Sequence, residues 1–398
     1  MLRQASRIVL LCGLASGLTT RATPQREIEA FSSPTVSTQL SSSSPESQGV
    51  NPDQLASAFR HAGSLRPLLS LLVLKNNVLI GEEYFHGATR DSAYNIKSVS
   101  KSILSALTGV ALREGFIKSL DEPVSTFFPE YFRPLDQSQI GWASLRVETD
   151  RERPKVTIRH LLTHTSGWIW DENQMLFSAW LWSTDYLRFF FELPIYGKIG
   201  ERFVYNTGGT HALSALLSRA SRMTTKEFAE RYLLGPAGME VKRWDRAPEG
   251  TYIGGAEMHF TARDMAKFGL LYLNHGRLWD RQILTEDWVR ESTAECVKAN
   301  YDARKDAEVP ESWIWSYLQP GHFTGYGYLW WRRDSAGYET YVALGYGGQF
   351  IFVIPELKAV LVAASAWDRA TNPNRMSHYL SFFEVVDKEI IPAIRLSK

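Results

Sequence analysis

The sequence predicts an α+β fold: one antiparallel sheet built from both ends of the chain and flanked by helices, with a mainly helical lobe inserted between. Three observations carry this. Leu68 to Ile80 is apolar and partly β-branched around Asn76-Asn77, a two-residue hairpin signal, and Tyr84-Phe85 continues the second strand. Tyr326 to Arg332, Glu339 to Leu344, Gln349 to Ile354 and Ala359 to Ala364 are short apolar runs that predict four successive strands late in the chain. Residues from roughly 120 to 245 are instead rich in helical patterns and aromatics, broken by Pro and Gly. Strands at the two ends with a helical middle segregate into an α+β architecture.

The elements follow in order. Arg3 and Arg7 precede an apolar stretch from Ile8 to Leu18 and the small-residue site Thr20-Arg21-Ala22, so residues 1–22 have the pattern of a signal peptide and predict an exported protein, periplasmic or secreted. That stretch is far shorter than the roughly 20 residues a membrane span needs. Residues 23–44 are rich in Ser, Thr and Pro and predict a loosely packed arm, with the folded body running over 45–398. Ile103, Leu104, Leu107, Val110 and Ala111 recur at three- and four-residue spacing and predict a buried helix. A further helix is expected over Arg263 to Leu273, and a closing one over Met376 to Ile394.

Bulk properties narrow the function. With 398 residues, 44% of them hydrophobic, the chain can bury a large core. A formal net charge of +1 supplies no electrostatic footprint for nucleic acid or an anionic membrane. The two cysteines, Cys12 and Cys296, form neither a disulfide framework nor a zinc site; cleavage after Ala22 would leave Cys296 alone. His160 and His164 stand at i, i+4, but no Glu follows the first and no acidic cluster lies nearby, so structural histidines are expected.

The chemistry-bearing string is Ser98-Val99-Ser100-Lys101, at the head of the buried helix. A serine three residues before a lysine puts both on one helix face, where a neutral amine can take the hydroxyl proton. The lysine pKa, ordinarily about 10.4, must then be lowered by burial or a neighbouring cation.

Further strings accompany it: Tyr205-Asn206-Thr207, Tyr346-Gly347-Gly348 before Gln349, Ser44-Pro45-Glu46-Ser47-Gln48-Gly49, Leu161 to Gly167, and Gly254-Gly255-Ala256 leading to Thr261-Ala262-Arg263-Asp264-Met265. Over residues 45 to 398 this ordered set resembles the serine hydrolases related to class C β-lactamases and penicillin-binding proteins, with a β-lactamase/transpeptidase-like fold. The resemblance implies Ser98 as nucleophile, Lys101 and Tyr205 sharing proton transfer, and the backbone N–H groups of Ser98 and Gln349 as the oxyanion site. Gly347 and Gly348 would let substrate approach the backbone. Which of Lys101 and Tyr205 is the general base stays open. No cofactor or metal is implied.

Two departures from the family pattern bear on substrate. Tyr346 stands where β-lactamases and cell-wall peptidases carry a lysine that engages a substrate carboxylate, and Thr207 replaces the amide of Tyr-x-Asn. Both point to the esterase and nylon-oligomer-hydrolase-like branch, acting on a small to medium ester or amide. Trp168, Trp170, Trp180 and Trp182 are candidates for an apolar pocket wall, beside their more ordinary role in core packing. The competing readings are a β-lactamase or D-alanyl-D-alanine carboxypeptidase, and a catalytically silent member that binds ligand. The oligomeric state has no signature in the sequence.

Overall fold

The computed structural model describes residues 38–132, 151–172, 175–195, 197–298, 323–368 and 374–395. The predicted signal peptide, Cys12 and the first part of the arm lie outside these residues. The last part of the arm is packed rather than loose: Leu40 is buried, Leu79 N–H donates to Ser41 O (2.8 Å) and Ser43 N–H to Leu79 O (3.0 Å). An apolar side chain and an otherwise open strand edge give this segment something to bind.

Helix α1 (Pro52–Ser64) starts at Asn51, whose side chain accepts from Gln54 N–H, with Pro at the first helical position, and it buries Leu55, Ala58, Phe59 and Ala62 at helical spacing. Strands β1 (Leu68–Lys75) and β2 (Val78–Tyr84) form the expected hairpin. Asn76 and Asn77 both take the left-handed conformation (φ 49° and 69°) that a tight hairpin turn of this hand requires. After β3 (Ala93–Asn95) comes α2 (Val99–Arg113), buried on every side from Val99 to Ala111 and therefore the central helix of the molecule.

The inserted lobe holds α3 (Ile158–Leu162), α4 (Met175–Trp182), α5 (Tyr186–Glu192) and α6 (Thr207–Ser221). His160 serves locally, its Nδ1 accepting from Thr157 N–H in a capping box at the start of α3. Aromatic rings make the core of this lobe: Trp168 packs on Phe190 (4.8 Å between centroids), Trp170 on Trp180 (5.7 Å) and Trp180 on Tyr186 (4.2 Å).

Strands β4 (Arg243–Trp244) and β5 (Met258–Thr261) join β3 in a small sheet ordered β3-β5-β4. Helix α7 (Ala262–Leu273) follows, its N-terminus capped by Thr261, with Arg263 held by Glu82 of β2 (2.6 Å). A short hairpin, β6 (Arg277–Leu278) and β7 (Arg281–Gln282), leads to α8 (Glu286–Thr293).

The C-terminal strands are β8 (Gly325–Tyr326), β9 (Trp331–Ser335), β10 (Tyr338–Gly345), β11 (Gln349–Ile354) and β12 (Ala359–Ser365). Together with the first hairpin they form one antiparallel sheet in the order β2-β1-β12-β11-β10-β9-β8. The register aligns Val73, Leu361, Phe352, Val342 and Trp331 in one row across five strands. One sequence expectation needs correction: Tyr326 to Arg332 is not a single strand. Leu329 is left-handed (φ 61°), its N–H donates to Leu162 O and its carbonyl accepts from Ser102 Oγ, so the run leaves the ladder to bond α3 and α2.

Side-chain alternation along β11 separates the two helical layers. Ile351 and Val360 face α7, while Phe350 stacks on Phe382 (5.4 Å) of the C-terminal helix α9 (Asn374–Val385). Both faces are covered, which is why β11 and β12 are buried throughout and read as continuous apolar runs. Cys296 is an exposed free thiol.

The central helix is also pinned from the side. A Cβ built on Gly109 would lie 2.4–2.5 Å from the indole of Trp288 on α8. Gly109→Ala is therefore expected to destabilise the protein by about 1–3 kcal/mol through overpacking, despite alanine's better helix propensity. Urea denaturation of the two proteins checks the sign; unchanged or raised stability would show that α8 yields freely.

Candidate active site

Ser98 sits at the junction between β3 and α2. Its backbone is already helical (φ −71°, ψ −3°) and its hydroxyl makes no capping bond, which leaves Oγ available to the cavity in front of it. The preceding residue is strained: Lys97 has φ 49°, in the left-handed region that non-glycine residues rarely occupy. Three contacts hold it there. Lys97 N–H donates to Asn95 Oδ1 (3.0 Å), its Nζ pairs with Glu257 (2.9 Å), and the same ammonium lies 3.9 Å from the ring centre of Trp367.

Lys101 projects one turn further along the same face. Its Nζ lies 3.0 Å from Ser98 Oγ, 2.9 Å from Thr207 Oγ1 and 2.9 Å from Gly255 O. The amine is fully buried, and this desolvation brings its pKa from near 10.5 down to about 8, against the opposing pull of the Glu172 carboxylate. Gly255 has to be glycine for this approach, because a Cβ there would lie 2.7 Å from Thr207 Cγ2 and 3.1 Å from Lys101 Nζ.

Tyr205 comes from the lobe, immediately before α6. Its ring lies parallel to Trp331 (5.6 Å) and against His164 (4.8 Å), Lys101 Nζ is 4.9 Å from its centre, and its hydroxyl bonds Ser98. Burial and the nearby Glu172 carboxylate push the phenol pKa up, so it is a neutral hydroxyl at ordinary pH. His164 is a packing residue: its Nδ1 accepts from Asn206 N–H (3.3 Å), and burial and the Lys101 charge hold its pKa well below the usual histidine value. Among the described residues, no group of three or more His, Cys, Asp or Glu is placed to hold a metal ion.

Glu172 carries no motif in the sequence, yet it is central here. Its buried carboxylate accepts from Thr207 N–H (2.9 Å), Thr207 Oγ1 and Trp170 Nε1 (2.6 Å). Thr207 is thus a link between Lys101 and Glu172, a role its place in the Tyr-x-Thr string does not disclose. The third string completes the wall: Tyr346 lines the cavity, and Gly347 and Gly348 (φ 82° and 97°) make a turn that only glycine adopts easily. Gly347 N–H is tied to Tyr379 Oη (2.7 Å). The Gln349 side chain turns away, buried, and bonds the backbone of Ser365 through both its amide atoms. A Cβ on Gly345 would lie 2.3 Å from Ile96 O, so the β10–β11 connection presses against the segment that leads into Ser98.

The structure therefore gathers Ser98, Tyr205, Thr207 and Tyr346 from three distant parts of the chain around one cavity of about 300 Å³, with Lys101 buried behind Ser98 and Thr207. A serine hydroxyl in contact with a buried amine of lowered pKa is the arrangement that generates an alkoxide nucleophile. Of the four lobe tryptophans, only Trp180 lines this cavity; Trp168 and Trp170 are buried in the lobe core, and Trp182 stands out in solvent.

The family model described as Beta-lactamase matches residues 55–380. The chain belongs to the β-lactamase family. It is accordingly a serine hydrolase with the β-lactamase/transpeptidase-like fold. A curated relative is the 6-aminohexanoate-dimer hydrolase of Paenarthrobacter ureafaciens, 24% identical over 311 residues, covering 75% of this chain and 72% of that protein. Among solved structures, the hydrolase EstCE1, titled as having promiscuous acyltransferase activity, is 16% identical with a TM-score of 0.62 (86% of this chain, 99% of that one). The octameric penicillin-binding protein homologue of Pyrococcus abyssi is 19% identical with a TM-score of 0.56 (82% and 76%). These two likenesses are of fold. No helix among the described residues is long and apolar enough to cross a membrane.

Proposed function

We propose that this β-lactamase-family member is an exported hydrolase that cleaves an uncharged ester or amide of small to medium size through an acyl-enzyme on Ser98. The observation that carries the reading is the 3.0 Å contact between Ser98 Oγ and a fully buried Lys101 amine whose pKa is about 8. At neutral pH roughly a tenth of such an amine is neutral and free to accept a proton. Tyr205, held as a neutral phenol, is the worse resting base and the better proton donor, so Lys101 takes the Ser98 proton and Tyr205 delivers one to the departing alkoxide or amine. The alkoxide adds to the carbonyl carbon, and the oxyanion is received by the N–H groups of Ser98, at the positive end of α2, and of Gln349. Collapse expels the leaving group, and water activated by the same pair releases the acid. Export rests on the signal-peptide pattern over residues 1–22.

The charges at the cavity support an uncharged substrate. Glu172 and Glu257 line it, Lys97 is committed to Glu257, and Tyr346 is a phenol where a carboxylate-binding lysine would stand. A substrate carboxylate meets carboxylates and no free cation among these lining groups. The relative named as a 6-aminohexanoate-dimer hydrolase and the fold neighbour titled as a hydrolase with promiscuous acyltransferase activity fit the same reading.

Ser98→Ala is expected to lower turnover of p-nitrophenyl butyrate by about three orders of magnitude or more, and to abolish labelling by a fluorophosphonate probe. Ser100→Ala is the matched control, because the buried Ser100 hydroxyl has no hydrogen-bond partner among the described residues. Retained activity in the Ser98 variant would remove the catalytic assignment.

The pH profile tests the base. kcat/KM for a neutral ester is expected to rise with pH through a midpoint near 8 as Lys101 loses its proton. Glu172 favours the ammonium form, so Glu172→Gln is expected to move that midpoint to lower pH; an upward shift would show that the carboxylate does not act on Lys101. On one preparation, kcat/KM for p-nitrophenyl butyrate is expected to exceed that for nitrocefin, whose carboxylate meets no unpaired cation among the described lining residues. The reverse order would restore the β-lactamase reading.

A further inference from the structure

The cavity is open on one side, and the lip there is apolar. Leu181 and Trp367 both line the cavity and both remain 46% and 42% exposed. Leu181 belongs to α4, whose sequence Met-Leu-Phe-Ser-Ala-Trp-Leu-Trp contains no charged residue. The helix uses Phe177, Trp180 and Leu181, at i, i+3 and i+4, to wall the cavity. Its other face leaves Met175 74% and Trp182 88% exposed. These four side chains are the large apolar residues most exposed among those described, and three of the four sit on this one helix. Leu181 and Trp367 belong both to the cavity wall and to the exposed apolar surface, so an apolar ligand that runs out of the pocket between them meets further exposed apolar side chains on α4.

We propose that this lip is a second subsite: the substrate carries an unbranched or lightly branched apolar chain that starts in the cavity, leaves it between Leu181 and Trp367, and lies along α4 towards Trp182. The inference rests on the hydrolase reading above and adds the substrate class, an ester or amide with a medium to long aliphatic chain. The occupant is the substrate's own chain rather than a lipid surface, because Leu181 and Trp367 line the cavity itself and a chain reaching them is already covalently tied to the reacting carbonyl. The basic side chain that borders the lip, Lys97 against Trp367, is already paired with Glu257, whereas surfaces that bind anionic lipid present clusters of unpaired Lys and Arg.

The test is a series of p-nitrophenyl esters from acetate to decanoate, all kept below their critical micelle concentrations. Wild-type kcat/KM is expected to climb with chain length, by up to about fourfold for each methylene that leaves water. Leu181→Ser and Trp182→Ser, at side chains 46% and 88% exposed, are each expected to lower the decanoate-to-butyrate ratio of kcat/KM by about tenfold, the scale of partly burying one large apolar side chain. A profile that is flat beyond butyrate, or ratios unchanged in both variants, overturns the subsite while leaving the hydrolase reading in place. A gain that appears only above the micelle concentration overturns it as well and assigns α4 to a lipid surface. Turnover of neither these esters nor the matching p-nitroanilides at any length overturns both proposals.

Discussion

The site depends on how one buried amine is held. Lys101 Nζ sits within 3.0 Å of three oxygens, a hydroxyl from the start of its own helix, a hydroxyl from the lobe and a carbonyl from the segment before β5. An ammonium with no water is costly to bury, and each of these oxygens offsets part of that cost. The same three contacts fasten α2, α6 and the Gly254-Gly255 turn to one point. The chemistry and the closure of the lobe onto the sheet therefore share a single anchor, and the incomplete compensation of the charge is what lowers the pKa.

Around that anchor the fold supplies rigidity in layers. The seven-stranded sheet fixes β10 and β11, whose connection carries Tyr346; α2 lies against those strands; and the aromatic core of the lobe fixes Trp170 and with it Glu172. The strained Lys97 backbone is held by Asn95, two residues before it, and by Glu257 and Trp367 from two further segments. Strain of this kind persists only where the surroundings over-determine it. Here it aims Ser98 away from a capping role and towards the cavity.

Much of this was legible in the sequence. The Asn76-Asn77 turn, the all-round burial of α2 and the apolar runs of β10 to β12 follow from local chemistry and short-period patterns, and the structure has them where those patterns lie. The Tyr326 to Arg332 run was misjudged because its interruption comes from bonds to Leu162 and Ser102, residues far away in the chain. Glu172 and the Lys97–Glu257 pair were missed for the same reason: Glu172 lies 35 positions from Thr207 and Lys97 160 from Glu257, and neither forms a spaced motif. In the sequence Thr207 is only the loss of an amide, whereas in the structure its hydroxyl joins Lys101 to Glu172. Trp182 looked like its neighbours in sequence, and only the packing of α4 separates it from the buried Trp180.

The packed end of the N-terminal arm bears on a different property of the molecule. A seven-stranded sheet rich in Val, Leu and Ala would, with open edges, offer unpaired N–H and C=O groups to any other extended chain, the ordinary start of aggregation. Ser41 and Ser43 occupy that role on the β2 side, bonding Leu79 in both directions, and Val297 does so at the far side by pairing with Tyr326 of β8. Both plugs are short, and β8, which Val297 covers, is only two residues long. Colloidal solubility, which a net charge of +1 does little to protect, is in this way assigned to a few backbone hydrogen bonds at the two margins of the sheet.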